Sequence, residues 1–141
     1  MDLYVFRDEA MAFYVGQSQF AFSRVWDHLM GGFHGHSIVG RFMWSNWPRS
    51  MRFSIDLLSS QSEAFQALGN SLDAAERELI QRWSPCFNVS QNLLPSPLPE
   101  AYRPVNAKLQ RRHGLHRLRR EAERAVRVED ALAWAEGLRW K

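Results

Sequence analysis

The sequence has a single cysteine, Cys86, among its 141 residues. One cysteine excludes an internal disulfide and a zinc site built on a cysteine cluster. The chain also lacks a run of about 18 apolar residues and a cationic segment followed by an apolar stretch, so neither a membrane span nor a secretory leader is predicted. A reducing, cytoplasmic compartment is the expected location. With 45% apolar and 13% aromatic residues, the chain has enough apolar side chains for one packed domain.

Positive charge is scarce in most of the chain and concentrated at its end. Residues 1–102 contain 7 Lys/Arg and 10 Asp/Glu, a net charge of −3, whereas residues 103–141 contain 11 and 5, a net charge of +6. A basic end behind an acidic body predicts contact with a polyanion such as nucleic acid. The proline-rich stretch 93–104 is typical of a stiff linker. We therefore predict a domain over 1–92, a linker over 93–104 and a basic helical extension over 105–141.

Aromatic and β-branched residues at 3–6 and 12–16, separated by a polar turn, predict a β-hairpin. Alternation over 51–58 predicts a third strand. The segment from about Phe20 to Met30 has helical periodicity, and it is expected to end at Gly31 and Gly32. Its predicted apolar stripe consists of Phe22, Val25, Trp26 and Leu29. Arg24 and His28 are spaced i, i+4 and are predicted to share the opposite, polar face of this helix.

A second clear helix is predicted from Leu72 to Trp83, with Ser71 as its N-cap. Leu72, Leu79, Ile80 and Trp83 define its apolar stripe. Glu76 falls within that stripe, four residues after Leu72. A carboxylate on a core-facing stripe is costly unless it is paired, hydrogen-bonded or bound to a metal ion, which makes Glu76 a candidate functional residue.

The order of these elements and motifs resembles the GIY-YIG nuclease superfamily over about residues 2–92. "LYV" (3–5) stands where the family has its GIY triplet, and "YVG" (14–16) where it has YIG. The family's arginine on the next helix matches Arg24, and the histidine that many members carry four residues later matches His28. "AERELIQRWSPCFN" (75–88) matches the later glutamate, proline and asparagine. The first triplet lacks its glycine but keeps Tyr4.

The resemblance implies a small α/β fold, with a three-stranded antiparallel sheet flanked by helices. It also implies a set of catalytic residues, which is Tyr4, Tyr14, Arg24, His28, Glu76 and Asn88. Glu76 is expected to hold one Mg²⁺ or Mn²⁺ ion, and Arg24 to pair with the scissile phosphate. The general base is left open between Tyr4 and His28. Asn88 is expected to position Glu76 or the backbone rather than to act directly.

Further contacts with DNA are predicted outside this set. His34 and His36 lie in a glycine-containing loop. We do not expect them to form a zinc site, and we expect them to contact DNA instead. Arginines repeat on one face of the first tail helix, opposite an apolar stripe, and are predicted to contact the DNA backbone without reading its sequence. These arginines are Arg117, Arg120, Arg124 and Arg127. The alternative is that these arginines form a solvent-exposed helix face and pair with nearby glutamates.

The sequence thus predicts a divalent-metal-dependent DNA endonuclease, acting on DNA that includes branched or structured forms. Two alternatives stay open. The first is a non-cleaving nucleic-acid-binding or assembly module on the same scaffold. The second is a nuclease that is active only with a protein partner, within a larger complex.

Overall fold

The computed structural model describes residues 1–34, 36–105 and Arg124. Three strands and three α-helices form along the chain in the order β1 (Leu3–Arg7), β2 (Ala12–Gln17), α1 (Ala21–Phe33), α2 (Ile38–Ser45), β3 (Ser54–Leu58) and α3 (Leu72–Trp83). Short 3₁₀ turns precede and follow β3, at Arg49–Arg52 and Glu63–Leu68. Within the described part of the chain, no helix is long and apolar enough to cross a membrane.

The sheet is antiparallel throughout, with strand order β2-β1-β3. The predicted fold class, a small three-stranded antiparallel sheet flanked by helices, is confirmed. Tyr4 on the central strand lies opposite Gly16 on β2 and opposite Leu57 on β3. The central strand therefore carries Tyr4 into the middle of the sheet.

A β-bulge in the hairpin places two consecutive aromatic side chains on one face of the sheet. The register changes from Phe6 opposite Tyr14 to Arg7 opposite Ala12, so Phe13 is the extra residue on β2. Phe13 and Tyr14 both belong to the cluster of side chains on the face covered by α1 and α2. A bulge re-aims side chains in this way, and here it leaves Phe13 in the core and turns Tyr14 toward the neighbourhood of Tyr4.

Each face of the sheet is covered by a different layer of helix. On one face, β1 and β2 pack against α3, and the buried residues are Leu3, Val5, Ala12, Val15, Phe65, Ala75, Leu79 and Ile80. On the other face the sheet packs against α1 and α2, and the buried residues are Tyr4, Phe6, Phe13, Ala21, Val25, Val39 and Phe42. The second face is rich in aromatic rings, and it is the face on which Tyr4 lies.

The predicted apolar stripe of α1 is wrong. Phe22 is 74% exposed and Trp26 60% exposed, whereas Ala21 and Val25 are buried. The helix is rotated so that small side chains and His28 face the sheet and α2. Ala21, Val25 and Gly32 allow the close approach that a stripe of large aromatic residues would prevent.

Gly31 and Gly32 do not end α1, which continues to Phe33. Their role is in packing instead. A Cβ atom on Gly32 would lie 2.4 Å from the Cα atom of Gly40, and a Cβ on Gly40 would lie 1.9 Å from the carbonyl oxygen of His28. The two glycines therefore let the backbones of α1 and α2 touch, right beside His28.

The segment 93–104, predicted as a stiff linker, is part of the folded domain. Leu98, Tyr102 and Val105 pack against the aromatic cluster, and the Tyr102 hydroxyl donates a hydrogen bond to the Asp8 carboxylate. Packing onto the core thus continues beyond residue 92, the end of the predicted domain, to Val105. Proline stiffens this stretch, but its apolar residues bind it to the core.

The helical extension predicted for 105–141 falls almost entirely on residues that lie outside the described part of the chain. This holds for Arg117, Arg120 and Arg127. Arg124 is described and is exposed and helical. The role of the four arginines in binding DNA stays a prediction.

The glycine contact between α1 and α2 predicts opposite effects on stability for Gly40→Ala and Gly31→Ala. Gly40→Ala forces a methyl group into backbone and should lower the free energy of unfolding by about 2–3 kcal/mol. In Gly31→Ala the new Cβ atom has its nearest neighbour at 3.7 Å, so the better helix propensity of alanine should raise stability by about 0.5–1 kcal/mol. Urea denaturation measures both values. Equal effects of the two substitutions would contradict the packing described here.

Candidate active site

Tyr4 is the centre of the candidate site. Its side chain is 2% exposed, although it carries a hydroxyl group. Gly16, its cross-strand neighbour, makes room for it, because a Cβ atom at position 16 would lie 2.3 Å from the Tyr4 hydroxyl oxygen. The glycine of the "YVG" motif is therefore required by the close approach of the Tyr4 ring to β2.

His28 on α1 provides the hydrogen-bond partner of the Tyr4 hydroxyl. The distance between the Tyr4 hydroxyl oxygen and Nε2 of His28 is 2.9 Å. The other ring nitrogen, Nδ1, lies 2.9 Å from Oγ of Ser37. The histidine thus bridges the sheet and the start of α2, with both of its nitrogens engaged.

Tyr14 completes the aromatic surroundings of this pair. Its ring centroid lies 5.3 Å from that of His28 and 6.2 Å from that of Tyr4. Phe6 packs edge-on against the His28 ring from the other side, at 6.0 Å. Three side chains that the sequence predicted as catalytic, Tyr4, Tyr14 and His28, are therefore in one contact group.

Arg24 lies one helical turn before His28 and is exposed. Its positive charge acts on Tyr4, Tyr14 and His28 and shifts the pKa of each of them. An exposed arginine whose charge reaches a buried tyrosine can bind an anion near that tyrosine.

Burial sets the protonation states of the group. Burial, followed by the proximity of Arg24, lowers the pKa of His28 to about 4. Burial, together with the neighbouring Tyr14, raises the pKa of Tyr4 above its ordinary value, although Arg24 opposes this shift. At neutral pH, therefore, His28 is an uncharged imidazole and Tyr4 an uncharged phenol, and Arg24 supplies the positive charge.

Glu76 lies on α3, at the border of its buried face. Ala75, Leu79 and Ile80 form the centre of that face, and Glu76 beside them is half-buried. It was predicted within the apolar stripe, and the helix phase moves it to the stripe's edge. Burial raises the pKa of Tyr14, and the negative charge of Glu76 raises it further, so the Glu76 carboxylate acts electrostatically on that tyrosine.

Gln17 and Asp73 lie near Glu76, and neither of them was identified as a candidate from the sequence. Burial and the nearby Asp73 raise the pKa of Glu76, while a hydrogen bond from the Gln17 side chain opposes the shift. The Gln17 amide also donates to Asp73 Oδ1 at 2.8 Å. Gln17 directly follows Gly16, and Asp73 is one helical turn before Glu76. In the sequence, only this closeness to the motif residues could have identified Gln17 and Asp73.

The donor set at Glu76 suits a magnesium-like ion. In the part of the chain that the structure describes, no three Asp, Glu, His or Cys side chains form a group able to hold a metal ion. Mg²⁺, however, is commonly bound by one or two carboxylates, with waters and substrate phosphate oxygens as the remaining ligands. Glu76, whose pKa is raised by burial and by a second carboxylate, has a charge that a cation would stabilise.

Asn88, predicted in the catalytic set, has a structural role. Its Oδ1 accepts a hydrogen bond from the Val15 backbone N–H, and its Nδ2 donates to the Val15 carbonyl, both at 2.8 Å. The amide therefore has its main donor and acceptor occupied by backbone. Val15 lies between Tyr14 and Gly16, so Asn88 positions the strand that carries both of them, which matches the expectation that it positions backbone.

His34 and His36 are exposed, at the end of α1 and in the connection to α2. Neither belongs to the tyrosine–histidine group. Their predicted contact with DNA stays a prediction. The structure thus brings Tyr4, Tyr14 and His28 into contact, with the charges of Arg24 and Glu76 acting on them, and the catalytic role of the set stays a prediction.

His28 predicts a pH dependence of stability. Its ordinary pKa is 6.5 and its pKa in the fold is about 4, so between these values the unfolded chain binds a proton that the folded chain does not. The free energy of unfolding should therefore fall as the pH decreases from about 6.5 toward about 4. Urea denaturation at several pH values measures this. His28→Gln, which cannot titrate, should show a smaller decrease, and an equal decrease in both proteins would refute the assignment.

Asn88 predicts a loss of stability when its amide is removed. Asn88→Ala leaves the Val15 N–H and C=O without partners next to the core and should lower the free energy of unfolding by about 2–4 kcal/mol. Ser90 is exposed in the same loop, so Ser90→Ala should change stability little and serves as the control. Thermal or urea denaturation compares the two. A near-neutral Asn88→Ala would mean that the edge of β2 is held by other contacts.

No family model, curated protein or solved structure matches the chain. Its function must therefore be argued from these residues: a buried tyrosine hydrogen-bonded to an uncharged histidine, an exposed arginine whose charge acts on both, and a half-buried carboxylate on α3.

Proposed function

We propose that this protein is a divalent-metal-dependent endonuclease that hydrolyses phosphodiester bonds of DNA, as its resemblance to the GIY-YIG nucleases implies. The observation that carries the proposal is the hydrogen bond between Tyr4 and His28, within reach of the Arg24 guanidinium. This arrangement combines a route for a proton with a binding group for a phosphate. We place the activity in the cytoplasm, on the basis of the sequence.

Arg24 is the phosphate-binding residue in this proposal. Arg24 is exposed, whereas Tyr4, on which its charge acts, is buried, so a phosphate bound to Arg24 is held at the surface near Tyr4. Charge-assisted hydrogen bonds to a planar guanidinium fix the orientation of a phosphate. The developing negative charge of the transition state is stabilised at the same place.

Tyr4 and His28 act together as the general base. The pKa of Tyr4 is raised, so a free tyrosinate is not available at neutral pH. Instead, Tyr4 takes a proton from the attacking water through its oxygen while it gives its own proton to Nε2 of His28, with which it is hydrogen-bonded. The water molecule is deprotonated as its oxygen attacks the phosphorus atom. The proton released by Tyr4 converts His28 to the imidazolium form.

Substrate binding makes His28 a better base. Arg24 is one of the causes of the low pKa of His28, after burial. A phosphate that pairs with Arg24 offsets this positive charge, and the negative charge itself favours the imidazolium form. The histidine therefore gains proton affinity when a substrate is present, which links binding to the protonation step.

Glu76, supported by Gln17 and Asp73, would hold the metal ion. A Mg²⁺ or Mn²⁺ ion bound there supplies positive charge to the phosphate and helps the departure of the leaving oxygen. Gln17 donates a hydrogen bond to Asp73 at 2.8 Å, and its amide also favours the ionised form of Glu76. Tyr14, in ring contact with His28 and Tyr4, would hydrogen-bond the phosphate or the water.

DNA cleavage tests the proposal. The purified chain is incubated with supercoiled plasmid and with branched and flapped oligonucleotides, with Mg²⁺ or Mn²⁺ and with a chelator. The cleavage rate should fall about 100-fold or more in each of Tyr4→Phe, Arg24→Ala and Glu76→Gln. The first removes a proton route, the second a positive charge and the third a metal ligand. Glu78→Gln is the matched control: Glu78 is on the same helix, bonded to Arg82 on the surface, and its loss should leave the rate nearly unchanged.

Two results would reject the proposal. Nicking that persists unchanged in Arg24→Ala and Glu76→Gln would place the activity elsewhere or in a contaminant. Binding of DNA that weakens steeply with salt, without cleavage of any substrate under any metal condition, would favour the non-cleaving binding module.

A further inference from the structure

We propose that Ser37 is a positioning residue for the reaction: its hydroxyl accepts a hydrogen bond from Nδ1–H of His28 and so leaves Nε2 free to take the proton of Tyr4. The inference deepens the proposed function and rests on it for the catalytic consequence. Ser37 was not part of the predicted catalytic set.

Ser37 is held in place by a second task. It is the N-cap of α2, with extended backbone, and its Oγ accepts a hydrogen bond from the backbone N–H of Gly40 at 3.1 Å. Gly40 in turn touches the carbonyl oxygen of His28 through the glycine contact between α1 and α2. The hydroxyl and the imidazole are therefore fixed relative to each other by backbone, and Nδ1 and Oγ lie 2.9 Å apart.

Two arrangements of protons satisfy these distances. In the first, Nδ1–H donates to Ser37 Oγ and Tyr4 donates to Nε2. In the second, Ser37 donates to Nδ1 and Nε2–H donates to Tyr4. A neutral imidazole carries one proton, and the hydrogen bond made by one nitrogen sets the role of the other.

Arg24 favours the first arrangement. Burial raises the pKa of Tyr4, but the positive charge of Arg24 opposes this and makes the Tyr4 hydroxyl a better donor, so the Tyr4 proton is directed to its hydrogen-bonded partner, His28. Ser37 Oγ has two lone pairs, enough to accept from both Gly40 and Nδ1. The chain of donors then runs in one direction, from Tyr4 through His28 to the helix cap.

Nitrogen-15 NMR of the imidazole tests the tautomer without any assay of activity. The protonated and unprotonated ring nitrogens resonate far apart, and the His28 signals are identified by their loss in His28→Gln. At neutral pH the wild-type chain should show the proton on Nδ1. Ser37→Gly keeps an acceptable helix cap but removes the hydroxyl, and it should move both signals toward a mixture of tautomers.

Ser37→Asp separates the two arrangements. A carboxylate caps the helix and accepts from Nδ1–H, but it has no proton to donate. The Nδ1 proton should therefore be retained in this variant, and it should cleave DNA at least tenfold faster than Ser37→Gly, whose rate should fall about tenfold or more below wild type. Ser71→Ala, which removes the N-cap of α3 instead, should leave the His28 signals unchanged.

A wild-type spectrum with the proton on Nε2 would overturn the inference. So would Ser37→Gly with unchanged His28 signals and an unchanged cleavage rate. If the wild-type chain cleaves no DNA while the Nδ1 proton is present and is lost in Ser37→Gly, the nuclease proposal fails, and the control of the His28 tautomer by Ser37 is supported on its own.

Discussion

A hydroxyl group buried among aromatic rings must find hydrogen-bond partners inside the protein, and Tyr4 imposes this requirement on the whole domain. The strand beside it must carry a glycine, because any Cβ at position 16 would occupy the space of the hydroxyl. A helix must bring an imidazole to within 2.9 Å, which requires α1 to turn its small residues inward. The contact of Gly32 with Gly40 follows, since α2 has to support that helix from behind.

The distribution of charge follows from the same burial. The inner part of the group is uncharged at neutral pH, and the charges lie at its rim, with Arg24 on one helix and Glu76 on another. Uncharged groups in a low-dielectric interior move protons without a large change in solvation, whereas charged groups at a rim attract ions from water. The fold thus places uncharged groups in the interior and the charged groups of Arg24 and Glu76 at its edge.

Sequence patterns predicted those features that depend on local chemistry. α3 begins and ends where its N-cap and its periodicity place it, and the hairpin lies where aromatic and β-branched residues alternate. The phase of α1 was not predictable, because hydrophobicity favours Phe22 and Trp26 as buried residues, while the close helix crossing accepts only smaller ones. The residues around Tyr4 were predicted from the resemblance to a known family. Ser37 was predicted neither from that resemblance nor from sequence patterns, because its distance to His28 is set by tertiary contacts between two helices.

The amide of Asn88 also bears on how this small sheet meets other chains. β2 is an edge strand, and the polar groups of an edge strand are a template on which a further strand can add. Asn88 takes both outward backbone groups of Val15, and the Phe87 N–H takes the carbonyl of Phe13, so the loop after α3 lies along that edge. Growth of the sheet through β2 must first displace this loop. The residue that aligns the site therefore also protects the domain against edge-to-edge association.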